Sequence, residues 1–403
     1  MLINSNINYL YKMYTIAYRV CKPARQQRLT RLAHILFFSL LTALLPLSST
    51  AQVLQLGGEW PDSEGRHVNA HGGCVLRAGD RYYWFGEERP VKGEKYQQGV
   101  TCYSSTDLCN WRYEGLALRV DDHSKAPLDA GCTIERPKVV YCSKTGQYVL
   151  WFHLELKGKG YAAAQCAVAV SKNVTGPYQL LRAGRVNAGY YPMDMTKKEQ
   201  QTTFCEDSLK EWWTPQWFDA IKKGYFMFRD RTGGQMSRDM TVFVDDDGKA
   251  YHVYSSEDNL TLHIAELSDD YTRHTGRYIR VAPAGHNEAP TVFKHNGTYW
   301  MITSGCTGWA PNEARMFSAP SIWGPWTQHP SPFVGTDAKK TFGGQGTFVF
   351  QPAAGKFLFM ADIWNPNDLA HSGYFWLPID FDAANTPVIN RQDRYSLGDF
   401  LDK

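Results

Sequence analysis

One pattern occurs five times along the chain: a glycine turn followed at once by an alternating, aromatic-rich segment. The copies start at Gly79 (GDRYYWFGEE), Gly146 (GQYVLWFHLE), Gly248 (GKAYHVYSSE), Gly297 (GTYWMITSG) and Gly355 (GKFLFMADIW). Period-two alternation marks a half-buried strand, and the Asp-Gly and Asn-Gly turns are strong hairpin signals because type I′ turns need positive φ. Each copy is therefore predicted to be a β-hairpin. Its first strand is the short apolar run before the turn: GGCVLRA, PKVVYCS, MTVFVDD, PTVFKHN or TFVFQPA. Most second strands are followed by a third, as in TCYSSTDLCNW, AVAVSKNVTGPY, HIAELSDDY and ARMFSAPSIWGPW. Five such units predict an all-β, five-bladed β-propeller over residues 52–403, which leaves only short, protected sheet edges. A β-sandwich would supply strands but no reason for five equivalent hairpins.

The turn glycines are separated by 67, 102, 49 and 58 residues, so the second interval must carry an insertion, placed at residues 183–233. It is partly helical: Thr214 as N-cap, Pro215 at the first helical position and Gly224 past the end bracket a short helix over PQWFDAIKK.

Residues 1–51 carry six Lys and Arg and no acid, run into the apolar stretch at 33–47, and end in Ser49-Thr50-Ala51. That order of basic, apolar and small residues predicts a secretory signal cut before Gln52, and hence a secreted or periplasmic protein. About 15 apolar residues fall short of the roughly 20 that a spanning helix needs. Without the leader, the net charge falls from +3 to −3, which offers no electrostatic footprint for a phosphate backbone and excludes nucleic acid as an expected partner. The eight remaining Cys show no CxxC spacing, so no zinc motif is read. Export permits disulfides, with Cys102 and Cys109 the nearest pair, and buried free thiols are the alternative.

Aligning the five copies on their glycines shows what opens each first strand, where a propeller's strands converge on its axis. The residue is polar every time: His71 (NAHGG), Glu135 (IERPK), Asp239 (SRDMT), Glu288 (NEAPT) and Gln345 (GGQGT). A strand end is often polar simply because it is solvated, but five in register point to one axial pocket. Three carboxyls crowded there would raise at least one pKa toward neutrality, as a general acid requires.

The motifs AHGG, FGEE, IERPK, SRDMTVFVDDDGKAYHVYSSEDN, NEAPTVFKHNGTYWMITSG and GGQGTFV, in that order, resemble glycoside hydrolase family 43, and within it the exo-β-1,3-galactanases of subfamily 24. The resemblance covers nearly all of residues 52–403. It implies an inverting glycosidase that releases galactose from β-1,3-galactan or arabinogalactan oligosaccharides, with Glu288 as general acid. Much of the family uses a first-blade Asp as base. Here that strand opens with Asn69-Ala70-His71 and no acid. The subfamily resemblance implies instead that Gln345 orients the water, as an amide or its imidic acid tautomer. It further implies that Glu135 holds the terminal sugar and helps set the pKa of the acid, that Arg136 donates to sugar hydroxyls, and that Asp239 modulates the acid or holds substrate. Glu87, Tyr161, Asn259 and Thr307 are expected to line the sugar pocket, with Trp309 and Trp364 as stacking platforms and His71 nearby. No cofactor is expected. A structural calcium beside His71 is the alternative, since some family propellers carry an axial metal, but this chain shows no ligand cluster at the required spacing. The rival readings are an α-L-arabinofuranosidase or β-xylosidase on the same fold, and a non-catalytic glycan-binding propeller.

Overall fold

The computed structural model describes residues 53–120 and 127–398. The predicted signal of residues 1–51 lies outside the described residues. Five antiparallel sheets follow one another along the chain, each opening with the strand predicted to be axial: His71–Ala78, Thr133–Cys142, Met240–Val244, Asn287–His295 and Gln345–Ala353. In the first four sheets, and for the four strands of the fifth that start at Gln345, the strands are hydrogen-bonded in chain order from the axis outward, which is the topology of propeller blades. Blades 1 to 4 have four strands, and blade 5 gains an outer two-residue strand, Phe333–Val334, paired in parallel. All five turn glycines have positive φ, between 64° and 79°. Their hairpins pair as the pattern predicts.

The predicted insertion holds α1 (Pro215–Lys222), capped as the sequence indicates by Thr214, whose hydroxyl accepts from the Trp217 amide. A second helix, α2 (Tyr225–Asp230), follows directly; YFMFRD is too short for helical periodicity to show in the sequence. Gly224 ends α1 as the sequence indicates, with φ +97°, and also caps the start of α2. Trp217, Ile221 and Phe226 pack the helices into their own small core.

Four apolar clusters fill the blade junctions, one of them spanning two junctions. Ring closure rests on the cluster joining blades 4, 5 and 1. There Trp84 of blade 1 meets Trp376 of blade 5 edge to face at 4.7 Å, with Trp60 and Trp111 within 5.5 Å and 5.4 Å of Trp84. Cys102 and Cys109 lie in different clusters, so the nearest pair in sequence is divided between two junctions. Cys74, Cys102, Cys132, Cys142 and Cys166 are buried thiols.

Trp84→Ala should destabilise the propeller by about 3–5 kcal/mol, the usual range for emptying a packed aromatic site. Urea unfolding monitored by tryptophan fluorescence measures this, and a loss below about 1 kcal/mol would show that closure rests elsewhere.

Candidate active site

The strand starts converge as the propeller requires, and the chain bends there by a repeated device. In blades 1, 2 and 4 the residue after the strand start is left-handed: Gly72 (φ +59°), Arg136 (φ +53°) and Ala289 (φ +50°). A β-bulge follows at each of these points, between His71 and Cys74, Glu135 and Lys138, and Glu288 and Thr291. Bulges re-aim side chains at sheet ends. At Gly72 a Cβ would stand 2.7 Å from Glu87 Oε1, so only glycine leaves that carboxyl its place.

The resulting pocket encloses about 450 Å³ and is lined by Glu87, Glu135, Arg136, Tyr161, Asp239, Asn259, Glu288, Trp309, Gln345 and Trp364 among the predicted residues. Two predicted residues lie elsewhere. Thr307 is exposed and bonded to Ala310 O at 2.6 Å, in a neighbouring cavity on the other side of the 305–312 loop. His71 is fully buried behind Trp364, stacked on Tyr374 at 5.1 Å with Nε2 on Ala370 O. Burial pushes its pKa down to about 3, so it is a neutral packing residue. Of NAHGG, it is Asn69 that reaches toward the site: its amide brackets the Arg89 backbone at 2.7 and 2.9 Å.

Arg136 forms the floor. Its guanidinium donates to Gln345 Oε1 at 2.6 Å and Gly346 O at 3.2 Å, pairs with Asp239 at 2.8 Å, and lies under Trp364. Gln345 Oε1 also accepts from Trp364 Nε1 at 2.9 Å, and Gln345 Nε2 donates to Ser304 Oγ at 2.9 Å. Arg136 and Trp364 can only donate, so the amide orientation is fixed, with one N–H left over. An imidic acid bearing its proton on Oε1 would collide with two donors. The arrangement therefore favours the ordinary amide.

The carboxyls are pushed in opposite directions. Burial raises Glu135, but His153, Arg89 and Tyr161 outweigh it and hold the group at about 2. The contacts are His153 Nδ1 at 3.1 Å, Tyr161 Oη at 2.7 Å and Arg89 at 3.6 Å. His153 is itself pushed up to about 9: burial opposes the charge, but Glu135 on one ring nitrogen and Glu155 on the other, at 2.9 Å, prevail. Glu288 behaves oppositely. Burial and the nearby Asp239 charge push it up to about 7, against the opposing pull of Arg136. Asn259 donates to Glu288 Oε1 at 2.8 Å. Three successive left-handed residues, Glu257, Asp258 and Asn259, present that amide, and Glu257 is pinned by Arg280 at 2.7 Å and His263 at 2.9 Å. Glu87 rises to about 8 and Asp362 to about 6, both through burial.

Arg89, His153, Arg238 and Asp362 complete the pocket and its wall, and the motif reading did not select them. Cross-strand register would have found two of them, since His153 pairs with Glu135 and Asp362 with Gln345. Glu135, His153 and Asp239 present possible ligand atoms within 4.8 Å of one another. Arg89 and Arg136 already lie against those carboxylates, so the chain itself supplies the positive charge a cation would bring.

A five-bladed propeller with one strongly acidic and one near-neutral carboxyl beside a fixed amide and aromatic rims is a sugar-cleaving class of site. The family model for glycosyl hydrolases family 43 matches residues 190–373. A family 43 β-1,3-galactosidase solved with galactodeoxynojirimycin is 57% identical, with 85% of this chain and 100% of that one covered at a TM-score of 0.83. An exo-β-1,3-galactanase from Clostridium thermocellum is 33% identical over 85% of this chain and 66% of its own (TM-score 0.68). One from Phanerochaete chrysosporium, solved with β-1,3-galactotriose, is 30% identical over 86% and 68% (TM-score 0.67). A curated relative, a β-D-galactofuranosidase of Aspergillus niger, is 30% identical over 122 residues; the match spans 30% of this chain and 35% of that protein. The chain belongs to glycosyl hydrolases family 43.

Asp239→Asn removes the negative charge that helps raise Glu288, so the pKa of that carboxyl should fall below about 7. Carboxyl-edited NMR titration tests this, and an unchanged or higher value would contradict the assignment.

Proposed function

We propose that this chain is an exo-acting, inverting glycosidase that releases galactose from the non-reducing end of β-1,3-galactan, exported by its basic and apolar leader. The observation that carries the reading is the division of labour at the axis: Glu288 is held protonated to near neutral pH beside an amide whose remaining N–H is free. The galactan-cleaving relatives supply the substrate class. A pocket floored by buried Arg136 and Glu135 admits a chain end rather than a chain middle.

In this mechanism Glu288 gives its proton to the glycosidic oxygen as the C–O bond lengthens and the ring acquires oxocarbenium character. Gln345 donates its free N–H to a water on the opposite face and so orients a lone pair toward the anomeric carbon. The amide need not be a strong base. Once the new C–O bond forms, the attacking water becomes an oxonium, which loses its proton to solvent water. Glu135, kept ionised, and Arg136 bind sugar hydroxyls, and unpaired polar groups penalise sugars that lack them. Trp309 is 45% exposed and packs edge on Trp364 at 5.3 Å, forming the rim on which the next sugar stacks.

Glu288→Gln should lower kcat on β-1,3-galactan by about 10²–10⁴-fold, the usual worth of a general acid. Galactose first formed by the unaltered enzyme should be the α anomer, as early-time proton NMR would show. Undiminished turnover by the variant, or a β product, would overturn the reading; oligosaccharide binding without turnover by the unaltered chain would favour a glycan-binding propeller.

The pH profile follows from the same carboxyl. Glu288 acts when protonated, so kcat/KM should fall about tenfold per pH unit as pH rises past about 7. Gln345 does not titrate and Glu135 stays ionised down to about 2, so neither adds an acid limb above pH 4. A profile rising toward alkaline pH would exclude Glu288 as acid.

A further inference from the structure

We propose that Cys166, His252 and His274 form a zinc site that clips blade 2 to blade 3. Cys166 lies on the third strand of blade 2 (Gln165–Ser171), His252 on the second strand of blade 3 (Ala250–Ser256), and His274 opens its fourth (His274–Val281). One sulfur and two imidazole nitrogens gather within 4.8 Å of one another. This is a borderline-soft donor set suited to Zn²⁺.

The two rings face each other, with His252 Nδ1 and His274 Nε2 3.0 Å apart. On the far edge of His252, Met240 Sδ stands 3.3 Å from Nε2 and can accept its N–H. That tautomer leaves the Nδ1 lone pair turned toward His274, which is the form a metal ligand needs. Two zinc–nitrogen bonds of about 2.0–2.1 Å at a tetrahedral angle separate their nitrogens by roughly 3.3 Å. An ion replacing the shared proton would therefore open the pair by only a few tenths of an ångström.

Trp151 walls both rings, with centroids at 5.3 and 5.2 Å. Zinc takes cysteine as the thiolate, so binding at Cys166 releases one proton. Arg182 faces His274, and the thiolate formed on binding offsets that charge. The three protein donors leave one tetrahedral position for a water or other fourth ligand, and His274 itself is partly exposed. The location gives the clip a purpose. Cys166 pairs with Gly184, at the end of blade 2, and the chain then leaves for the helical insertion before returning at Met240. Long closed loops gain most from a cross-link at their base.

The test uses the purified full chain, stripped with a chelator and titrated with Co²⁺. One equivalent should bind with an intense near-ultraviolet thiolate-to-cobalt charge-transfer band, which Zn²⁺ displaces. Cys166→Ser should abolish the band, and His274→Ala should weaken Co²⁺ binding by at least about tenfold. Both should retain galactan hydrolysis, which reports that the propeller is intact. Zn²⁺ should raise the melting temperature of the unaltered chain and leave that of Cys166→Ser unmoved. No charge-transfer band, or one that survives Cys166→Ser, would overturn the proposal. Cobalt bound at the oxygen-rich Glu135, His153 and Asp239 group would give no thiolate band and would count against it equally.

Discussion

The guanidinium of Arg136 is the contact on which the axial pocket depends. It is buried, its backbone is left-handed, and it joins residues that arrive from three blades: its own, Asp239 of the third and Gln345 of the fifth. Taking such a group out of water costs several kcal/mol unless opposite charges and acceptors surround it. Asp239 supplies the charge, and Gln345 Oε1 and Gly346 O are the acceptors. The planar fork fixes directions as well as distances, which a lysine at the same point could not do. Below it lies Lys138, fully buried on the carbonyls of Gly72, Arg136 and Pro137 and lowered to about 8 by burial. A column of cations thus fills the narrow end of the funnel, and the carboxyls arrange themselves around it.

The five-fold glycine pattern made the blades and the five strand starts readable, because hairpin chemistry is local. What happens one residue later is not local. His71 holds the right register position, yet the bulge after it delivers a ring packed on Tyr374, while the carboxyl of its cross-strand partner Glu87 lines the pocket. His153, embedded in WFHLE, reads as a core histidine in an apolar strand, and only its pairing with Glu135 shows otherwise. Counting outward from the turn glycine would have paired them, except that each bulge adds a residue to one strand and breaks the count. Thr307 lies outside the axial pocket for a related reason. It lies beyond a strand end, on a loop whose course Asn312 sets by bonding Gly305 and Thr307.

Once register is known, a second ring of residues becomes visible behind the first. Opposite the strand starts stand Glu87, His153, Ser304 and Asp362, in blades 1, 2, 4 and 5. Each positions or charges a neighbour: Ser304 takes the Gln345 amide, Asp362 accepts the Gly72 N–H at 2.6 Å, and His153 carries the influence of Glu155 to Glu135. Glu155 in turn is held by the Ala164 amide, which bonds both its oxygens. The propeller thus builds its site in layers, with side chains from second strands tuning those from first strands.

The amide at position 345 follows from the same electrostatics. Its oxygen sits 2.6 Å from the Arg136 guanidinium and 2.9 Å from the Trp364 indole, two fixed donors. A carboxylate there would be an ion pair in a buried setting, held far below the range useful to a base. It would also compete with Asp239 for Arg136 and add a negative charge near Glu288, raising further a carboxyl that already stands at about 7. An amide keeps the acceptor geometry, adds no charge and still presents an N–H to water. Where the transition state is mostly bond breaking, orientation of the nucleophile counts for more than its deprotonation, and a neutral group in that place leaves the acid free to titrate where it is needed.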